Sequence, residues 1–251
     1  MSESTHTRNR TAGSGGGRRR LSRRTFLQNL AASATALAGS SLLEACSPSP
    51  AAPATAPAAL PSAEPPRAPA AASSVTVWEA LKKRRSATGF QTQPLPKEKL
   101  LDLLWAAWGI NRPDSGKRTA PSAMNTQEID IYVLLSEGVY VYDAKGNQLT
   151  LVLEKDLRAK AAAMGSMKDA PVHLLFVADY AKFRTIPQSQ KELYSACHTG
   201  FIGQNVYLYC AAEGLGARFY AGIDRAALKD SLKLRDDQGI VFAQAVGYPK
   251  E

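Results

Sequence analysis

The sequence is poor in the residues that build metal sites and disulfide frameworks. Its 251 residues include three cysteines and three histidines, and no two cysteines form a CxxC pair. A structural zinc site needs about four such ligands at short spacings, and a disulfide framework needs several paired cysteines. The scarcity of both residue types therefore excludes zinc-dependent and disulfide-rich folds.

Several recurrent binding and catalytic patterns are also missing. The chain has no GxGxxG fingerprint for a dinucleotide, no Ser, His and Asp in the order of a hydrolase triad, and no paired carboxylate motif. Asp130, Glu137 and Asp143 fall in predicted strands or turns, where solvated carboxylates are expected. We therefore assign no side chain to direct catalysis.

The excess of positive charge is concentrated near the N-terminus. The formal net charge is +9, and residues 1–46 hold seven arginines against two glutamates, a net of +5 that leaves +4 for the rest. No basic helix and no interleaving of aromatic with basic residues accompanies this charge. These features exclude a nucleic-acid-binding surface.

The first 46 residues carry the marks of an export signal. Residues 22–28, which include Arg23 and Arg24, match a twin-arginine motif, and the moderately apolar stretch 31–43 is typical of such a signal rather than of a stable membrane span. Residues 43–46 resemble a lipobox ending at Cys46, although Glu44 is atypical and simple cleavage nearby is the alternative. We predict twin-arginine export, lipidation of Cys46, and anchoring on the periplasmic or extracytoplasmic face of a membrane.

A linker follows the signal. In residues 47–74, 19 of 28 residues are proline or alanine, a composition that favours extended chain and cannot form a packed core. The remaining part, residues 75–251, has the length of one ordinary domain. We predict a tether between the anchor and a single folded domain.

The folded part shows alternating helical and strand patterns. A capping box of Thr76 and Glu79 predicts a helix to about Lys83, and a second amphipathic helix is predicted over 96–108, ending at Gly109. Residues 143–147 predict a turn within a strand meander. Strands are predicted at 129–135, 139–142 and 149–153, buried central strands at 171–178 and 239–246, and helix at 154–164. This pattern indicates an α+β layered domain.

The longest apolar pattern predicts a helix over about 189–214. Gly214 and Gly216 indicate that the helix ends in a left-handed or closely packed turn. Residues 218–222 then lead to Asp224, and a glycine-rich segment of this kind can direct backbone N–H groups at a flat ligand. Cys197 and Cys210 are predicted to be core residues, because thirteen helical residues separate them by about 20 Å, too far for a disulfide. His198 is predicted to be a satisfied core or interface residue.

This helix has two apolar stripes. Leu193, Cys197, Phe201 and Leu208 form one, and Tyr194, Ile202, Val206 and Tyr209 form the other. A helix that is apolar nearly all round must be buried nearly all round, and a small domain covers one side only. We therefore predict an isologous homodimer.

Three blocks of the chain, in this order, resemble the nitroreductase superfamily of FMN enzymes. They are Arg84-Arg85-Ser86 followed by Phe90, then the sequence PSAMNTQ at 121–127, then the glycine-bearing runs 200–208 and 211–216. The resemblance spans about residues 75–249. Residues 103–110, 118–122 and 138–143 resemble the SagB-type dehydrogenase branch in particular.

The resemblance implies a fold, a cofactor and a set of ligands. It implies a nitroreductase-like layered sandwich, with a central, mostly antiparallel sheet flanked by helices, and a homodimer that binds FMN. Arg84, Arg85 and Ser86 would hold the phosphate and ribityl chain, with Thr88 where the family usually has a second arginine. Lys250 is the only basic candidate after the last strand. The flavin ring would be lined by Pro121, Ser122, Ala123, Asn125 and Gln127 of a second subunit and by backbone N–H groups near Ala221 and Gly222.

The resemblance also implies an activity. We expect an exported FMN-dependent oxidoreductase that moves electrons between a donor and a small nitro, quinone-like or heterocyclic substrate at flavin N5, since the cofactor itself carries this chemistry. The electron donor stays open among NAD(P)H, a quinol and a protein. The alternatives are a SagB-like azoline dehydrogenase and a non-enzymatic lipoprotein that binds flavin or another ligand.

Overall fold

The computed structural model describes residues 74–162 and 165–250. These residues form one central sheet with helices on both of its faces. The strands are β1 (Ile110–Arg112), β2 (Lys117–Arg118), β3 (Ile129–Leu134), β4 (Val139–Asp143), β5 (Gln148–Leu153), β6 (Val172–Asp179), β7 (Gly216–Tyr220) and β8 (Gln238–Gly247). Six of them form the central sheet in the order β5-β4-β3-β6-β8-β7, in which every neighbouring pair is antiparallel, and β1 pairs with β2 in a separate two-stranded sheet. The helices are α1 (Val77–Lys83), α2 (Lys97–Trp108), α3 (Arg158–Ala161), α4 (Gln188–Ala212) and α5 (Arg225–Ser231). The predicted α+β sandwich is confirmed.

The two apolar runs predicted as central strands are the interior strands β6 and β8. Side chains of β6 alternate between two cores, so that Leu174 and Phe176 face one and Leu175 and Val177 the other. The first core is closed by α2 and α4, and the second by α3, α5 and Phe90. Burial on both faces explains why these strands are largely apolar.

Local signals at the predicted helix starts and turns are also confirmed. The Glu79 N–H donates to Thr76 Oγ1 at 3.2 Å and the Thr76 N–H donates to Glu79 Oε2 at 2.8 Å, which completes the capping box of α1. The β4–β5 turn is held by Asp143, whose carboxylate accepts the N–H groups of Lys145 and Gly146. Strands β3, β4 and β5 form the predicted meander.

Helix α4 confirms the predicted long helix, and its exit uses two glycines differently. Gly214 has a φ of +69°, the left-handed conformation that glycine adopts without strain. Gly216 opens β7, and a Cβ there would lie 3.0 Å from the Ala87 Cβ and 3.2 Å from the Pro249 Cβ. The first glycine therefore permits the turn and the second permits close packing.

The two stripes of α4 have different environments. Ile202 and Val206 are fully buried against the sheet, whereas Leu193 and Phe201 are 71% and 43% exposed. The prediction that Cys197 is a core residue is wrong, because Cys197 lies on this outer face and is exposed; Cys210, on the inner face, is buried as predicted.

Two further predictions need correction, and one helix was missed. Residues 154–157 are not helical, and among the described residues of the predicted 154–164 helix only α3 is helical, because β5 continues to Leu153 and an irregular connection follows it. Residues 216–220, interpreted as a helix exit, form the edge strand β7, which pairs with β8. Helix α5, which was not predicted, begins after Asp224, whose carboxylate accepts the Ala227 N–H.

One buried histidine lies in the second core. His173 on β6 is fully buried, and its Nδ1 is 2.7 Å from the Tyr220 hydroxyl. Burial and the nearby positive charge of Arg158 lower the pKa of His173 to about 4. This histidine is therefore neutral in the folded protein at neutral pH.

The predicted export signal (1–46, with Cys46) and the linker (47–74, except Ser74) lie outside the described residues. Within the described part of the chain, no helix has the length and apolar character needed to cross a membrane.

Candidate functional site

A basic cleft of about 630 Å³ lies where the end of α1, the C-terminal turns of α4, the start of β7 and the chain end meet. Among the described residues its lining includes five cationic side chains, Lys82, Lys83, Arg84, Arg85 and Lys250, and no aspartate or glutamate. Ser86 and Thr88 add hydroxyl groups. Guanidinium, ammonium and hydroxyl donors are the chemistry that binds a phosphate.

The segment that carries these residues is clamped by the sheet and by the chain end. Helix α1 ends at Arg84, and the next residues run beside β7, where the Ala87 N–H donates to the Ala217 carbonyl at 2.9 Å. Phe90 is fully buried and forms a bridge with Pro249. The basic side chains therefore project from a backbone that is fixed on both sides.

Tyr207 on α4 organises the same cleft. Its hydroxyl accepts the Phe219 N–H at 2.8 Å and lies 3.0 Å from Ser86 Oγ. Its ring lies under the Arg84 guanidinium, 5.3 Å from the ring centroid to Cζ, which is a cation–π contact. Tyr207 lies within the 200–208 run, but its role was not predicted, because its partners are 12 to 123 positions away.

Lys250 reaches the cleft but is already paired. Its Nζ lies 2.7 Å from Asp169 Oδ2, and both side chains are about half exposed. Its aliphatic stem packs against Gly89, whose carbonyl accepts the Lys250 N–H at 3.1 Å. Asp169 therefore partly neutralises the charge that Lys250 can offer to a ligand.

The predicted ring-lining block lies apart from this cleft, between β2 and β3. Met124, Asn125 and Gln127 all have positive φ angles, of 52°, 54° and 47°. The side chains of Asn125 and Gln127 are hydrogen-bonded to each other at 2.9 Å, and Arg118 Nε donates to Gln127 Oε1 at 2.8 Å. Pro121 is exposed and Ser122 accepts the Gln127 N–H at 3.1 Å. Residues 121–127 thus form a compact, internally bonded segment, which we call the 121–127 segment.

A second open cavity, of about 700 Å³, lies beside this segment. It is lined by Met124, Asn125 and Thr126 together with Ala181, Lys182, Arg184 and Thr185. The Thr185 hydroxyl donates to Met124 Sδ at 3.1 Å, which joins its two walls.

Beneath the segment lies a buried acid–histidine pair. Glu128 and His198 are 0% and 2% exposed, and Glu128 Oε1 lies 2.6 Å from His198 Nδ1. On the other side of the ring, His198 Nε2 accepts the Ala123 N–H at 2.8 Å. Burial opposes ionisation of Glu128, but hydrogen bonds from His198 and Thr126 outweigh it and lower its pKa. His198 is therefore a satisfied core residue, as predicted, whereas Glu128 was missed.

Ala221 and Gly222 follow β7 in an irregular connection. Both are exposed, the Ala221 carbonyl accepts from Arg225 Nη1 at 3.1 Å, and neither lines the basic cleft. One chain thus brings Arg84, Arg85, Ser86, Thr88 and Lys250 together. The 121–127 segment and residues 221–222 lie at other places on the surface. Among residues 74–162 and 165–250, no group of three or more metal-ligating side chains is present.

Comparison with known proteins assigns the family. Residues 81–248 match the profile of the nitroreductase family. A protein of Methanocaldococcus jannaschii, provisionally named a nitroreductase, is 27% identical over 169 residues, which cover 63% of this chain and 84% of that protein.

Solved structures share the fold. A provisionally assigned nitroreductase of Ralstonia eutropha matches with a TM-score of 0.68 and 35% identity, over 74% of this chain and 88% of that one. A chain of the Escherichia coli microcin synthetase complex matches with a TM-score of 0.61 and 17% identity, over 73% and 77%. A provisionally assigned nitroreductase from Desulfovibrio desulfuricans, solved in complex with FMN, matches with a TM-score of 0.51 and 22% identity, over 70% and 87%. These last two show a shared fold alone. Because the family profile spans two thirds of the sequence, the chain belongs to the nitroreductase family, a family of FMN-dependent oxidoreductases.

Proposed function

We infer that this protein is an FMN-dependent oxidoreductase, and we propose that it is exported and transfers electrons between a donor and a small organic substrate. One observation carries the assignment of the cofactor site: five cationic side chains and the Ser86 hydroxyl surround a cleft to which the described residues contribute no carboxylate. FMN carries a phosphate dianion, and these donors fit it. When bound, FMN supplies the redox chemistry at N5, so the protein supplies binding and orientation.

The residues of the basic cleft take the phosphate end of the cofactor in this proposal. Arg84 and Arg85 supply charge, and Ser86 supplies a hydroxyl that Tyr207 orients. Thr88 stands at the cleft where the family usually has arginine, so it offers a hydroxyl in place of a charge. Lys250 adds a charge that Asp169 shares. Arg84 and Arg85 therefore account for most of the phosphate affinity.

We propose that the flavin ring lies at the seam of a homodimer. Within one chain the 121–127 segment does not line the basic cleft, which is consistent with its serving the partner subunit's flavin. The outer face of α4 leaves Leu193, Cys197 and Phe201 exposed, an apolar stripe that a second copy would cover. We expect an obligate-type interface above about 2,000 Å².

Export and anchoring complete the proposal. The twin-arginine motif at 22–28 is suited to a protein that is folded with its cofactor before it crosses the membrane, and Cys46 would carry the lipid. The Cys46→Ala variant is expected to leave the membrane fraction. If it stays there unchanged, the lipid anchor is wrong while the oxidoreductase assignment stands.

The cofactor assignment is tested on the full-length chain by its absorbance spectrum. We expect a yellow protein that binds FMN rather than FAD, and the double variant Arg84→Ala, Arg85→Ala should lose it. Each charge-assisted bond contributes about 1.5 to 3 kcal/mol, so loss of two weakens binding at least about a hundredfold. A colourless wild-type protein that ignores added FMN would contradict the proposal.

A matched control removes the same charge elsewhere. Lys145 and Lys155 are exposed and flank β5, at the opposite edge of the sheet from β7. The Lys145→Ala, Lys155→Ala variant should bind FMN as the wild type does. Equal losses in both double variants would indicate a general effect of charge instead of a phosphate site.

The electron partners are identified by bleaching the bound flavin. NADPH, a quinol and an azoline-containing peptide are compared as reductants of the bound flavin. A nitroaromatic compound and a quinone are compared as oxidants of the reduced flavin. The resemblance of residues 103–110, 118–122 and 138–143 to the SagB-type branch favours including the azoline peptide. A flavin that no compound in either group reduces or reoxidises would favour the non-enzymatic alternative.

A further inference from the structure

The backbone of the 121–127 segment has an unfavourable conformation at three positions. Three of its residues, none of them glycine, have left-handed φ angles: Met124, Asn125 and Gln127. Such conformations cost free energy and persist only where the surroundings fix them. The contacts that fix this segment therefore determine the shape of its surface.

The hydrogen bond between the Ala123 N–H and the buried His198 ring fixes the tautomer of that ring. A backbone N–H can donate only to a bare ring nitrogen, and the Ala123 N–H donates to His198 Nε2 at 2.8 Å. The proton of the neutral ring is therefore on Nδ1, where it donates to Glu128 Oε1 at 2.6 Å. The Thr126 hydroxyl donates to Glu128 Oε2 at 2.8 Å, so the carboxylate accepts on both oxygens, as an ionised group does.

The pair is enclosed by rings. Phe183, Tyr194 and Phe201 lie 6.2 to 6.5 Å from the His198 ring, centroid to centroid. The Ser195 hydroxyl also donates to Glu128 Oε1, at 3.2 Å, and this hydrogen bond involves no residue of the 121–127 segment. The Glu128 carboxylate thus accepts from three donors. Thr126 belongs to the 121–127 segment, His198 holds the segment through Ala123, and Ser195 is independent of the segment.

We propose that Glu128 and His198 are positioning residues for the flavin surface: the carboxylate sets the tautomer of His198, and the bare Nε2 fixes Ala123 and with it the 121–127 segment. The link to flavin rests on the proposed function, in which this segment lines the ring. The tautomer and its hold on Ala123 do not depend on that link. The two can therefore be tested separately on the same full-length protein.

The decisive variant is Glu128→Gln, which keeps the shape of the side chain. A glutamine amide facing the ring donates to Nδ1, so the ring proton moves to Nε2 and opposes the Ala123 N–H. In the wild type, ¹⁵N NMR of the labelled histidines should show His198 as the Nδ1–H tautomer. In Glu128→Gln we expect the Nε2–H tautomer and at least tenfold faster hydrogen exchange of the Ala123 amide.

Three further variants provide controls. Ser195→Ala removes a donor from the same carboxylate oxygen and should leave the tautomer and the Ala123 exchange rate within about twofold of wild type, since it does not touch the segment. His198→Gln places an acceptor near the position of Nε2 and should retain protection of Ala123, whereas His198→Phe keeps a ring but loses the acceptor and the protection. This last pair decides the question if Glu128→Gln fails to fold.

Added FMN then tests the link to the flavin. We expect the visible band of bound FMN to move toward that of free FMN in Glu128→Gln and to stay unchanged in Ser195→Ala. A wild-type protein that does not bind FMN would contradict the proposed function and leave the exchange result intact. An Nε2–H tautomer in the wild type, equal Ala123 exchange in wild type and in a Glu128→Gln variant that has the Nε2–H tautomer, or equal Ala123 exchange in His198→Gln and His198→Phe would overturn the positioning role. An unchanged FMN band with faster Ala123 exchange would show that the segment does not face the flavin.

Discussion

The Tyr207→Phe variant tests how the basic cleft is organised, because it removes one oxygen atom that serves two partners. That oxygen accepts the Phe219 N–H at 2.8 Å and lies 3.0 Å from Ser86 Oγ. Since it already accepts from Phe219, the arrangement that uses every group has Tyr207 donating to Ser86. The Ser86 proton is then available to a phosphate in the cleft.

The structure predicts two separate losses in this variant. The Phe219 N–H loses its acceptor, which costs about 1 to 3 kcal/mol in the free energy of unfolding if water does not replace the contact. Ser86 loses its orienting partner, which weakens FMN binding by about 0.5 to 1.5 kcal/mol, or roughly 2- to 13-fold. The ring and its contact with Arg84 remain, because phenylalanine also forms cation–π contacts.

Equilibrium FMN titration and urea unfolding of the full-length chain measure the two losses. Tyr209→Phe is the matched control, because Tyr209 lies on the same helix and its hydroxyl donates to the Lys99 carbonyl at 3.3 Å, outside the cleft. Unchanged FMN affinity in Tyr207→Phe would refute the orienting role. A loss above about a hundredfold would also refute it, because one neutral hydrogen bond does not contribute that much.

Three further outcomes are expected. Phe201→Asp, on the outer face of α4, should give a folded monomer with weakened FMN binding, whereas Ile202→Asp, at a fully buried position, should unfold the chain itself. Light scattering and circular dichroism distinguish these results. A Phe201→Asp variant that is still a dimer would argue against a dimer interface on this face. The pKa of His173 is about 4 in the folded protein, against an ordinary value of about 6.5, so the unfolded state binds more protons between these two values. This contribution to stability is therefore complete above about pH 6.5, and the free energy of unfolding falls by up to about 3 kcal/mol toward pH 4. His173→Gln should flatten urea-unfolding stability against pH over that range, and parallel profiles would contradict this. Arg23→Lys with Arg24→Lys should retain the protein in the cytoplasm, and unchanged fractionation would reject the export signal.

Elements defined by local chemistry were predictable from the sequence. The capping box at Thr76 and Glu79 places the start of α1 because its two hydrogen bonds join residues three positions apart. The turn after β4 is set by one aspartate and its own neighbours. Strands β6 and β8 were predictable because burial on both faces leaves few polar positions in them, of which His173 and Gln244 are buried.

Elements that depend on distant partners were not predictable in this way. Strand β7 is short, begins with glycine and lies at the sheet edge, so it lacks both alternation and a long apolar run; pairing with β8 defines it. Helix α5 has seven residues, fewer than the periodic pattern needs, and its cap at Asp224 is its main local signal. Residues 154–157 have helix-forming composition, but the end of β5 determines their path.

The candidate site shows the same division. The basic block at 84–86 was identifiable by resemblance, and the structure places it with Thr88 and Lys250 in one cleft. The residues that orient it were not identifiable, because Tyr207 is 121 positions from Ser86. Glu128 had one available signal: a carboxylate directly after the 121–127 segment and before an apolar strand is a candidate for burial, and burial requires a donor such as His198.

Helix α4 explains how one chain holds both parts of the site in fixed relation. Tyr207 orients the basic cleft from one end of this helix, and His198 supports the 121–127 segment from a position nine residues earlier, about 14 Å along the axis. The helix lies close to the sheet at Gly203, where a Cβ would lie 2.7 Å from the Phe219 ring, and the Gly203 carbonyl accepts from the buried Gln244 amide at 3.2 Å. This close approach is what lets the Tyr207 hydroxyl reach the Phe219 N–H. The glycine on the inner face of α4 therefore supports the basic cleft, although it touches no residue that would bind the cofactor.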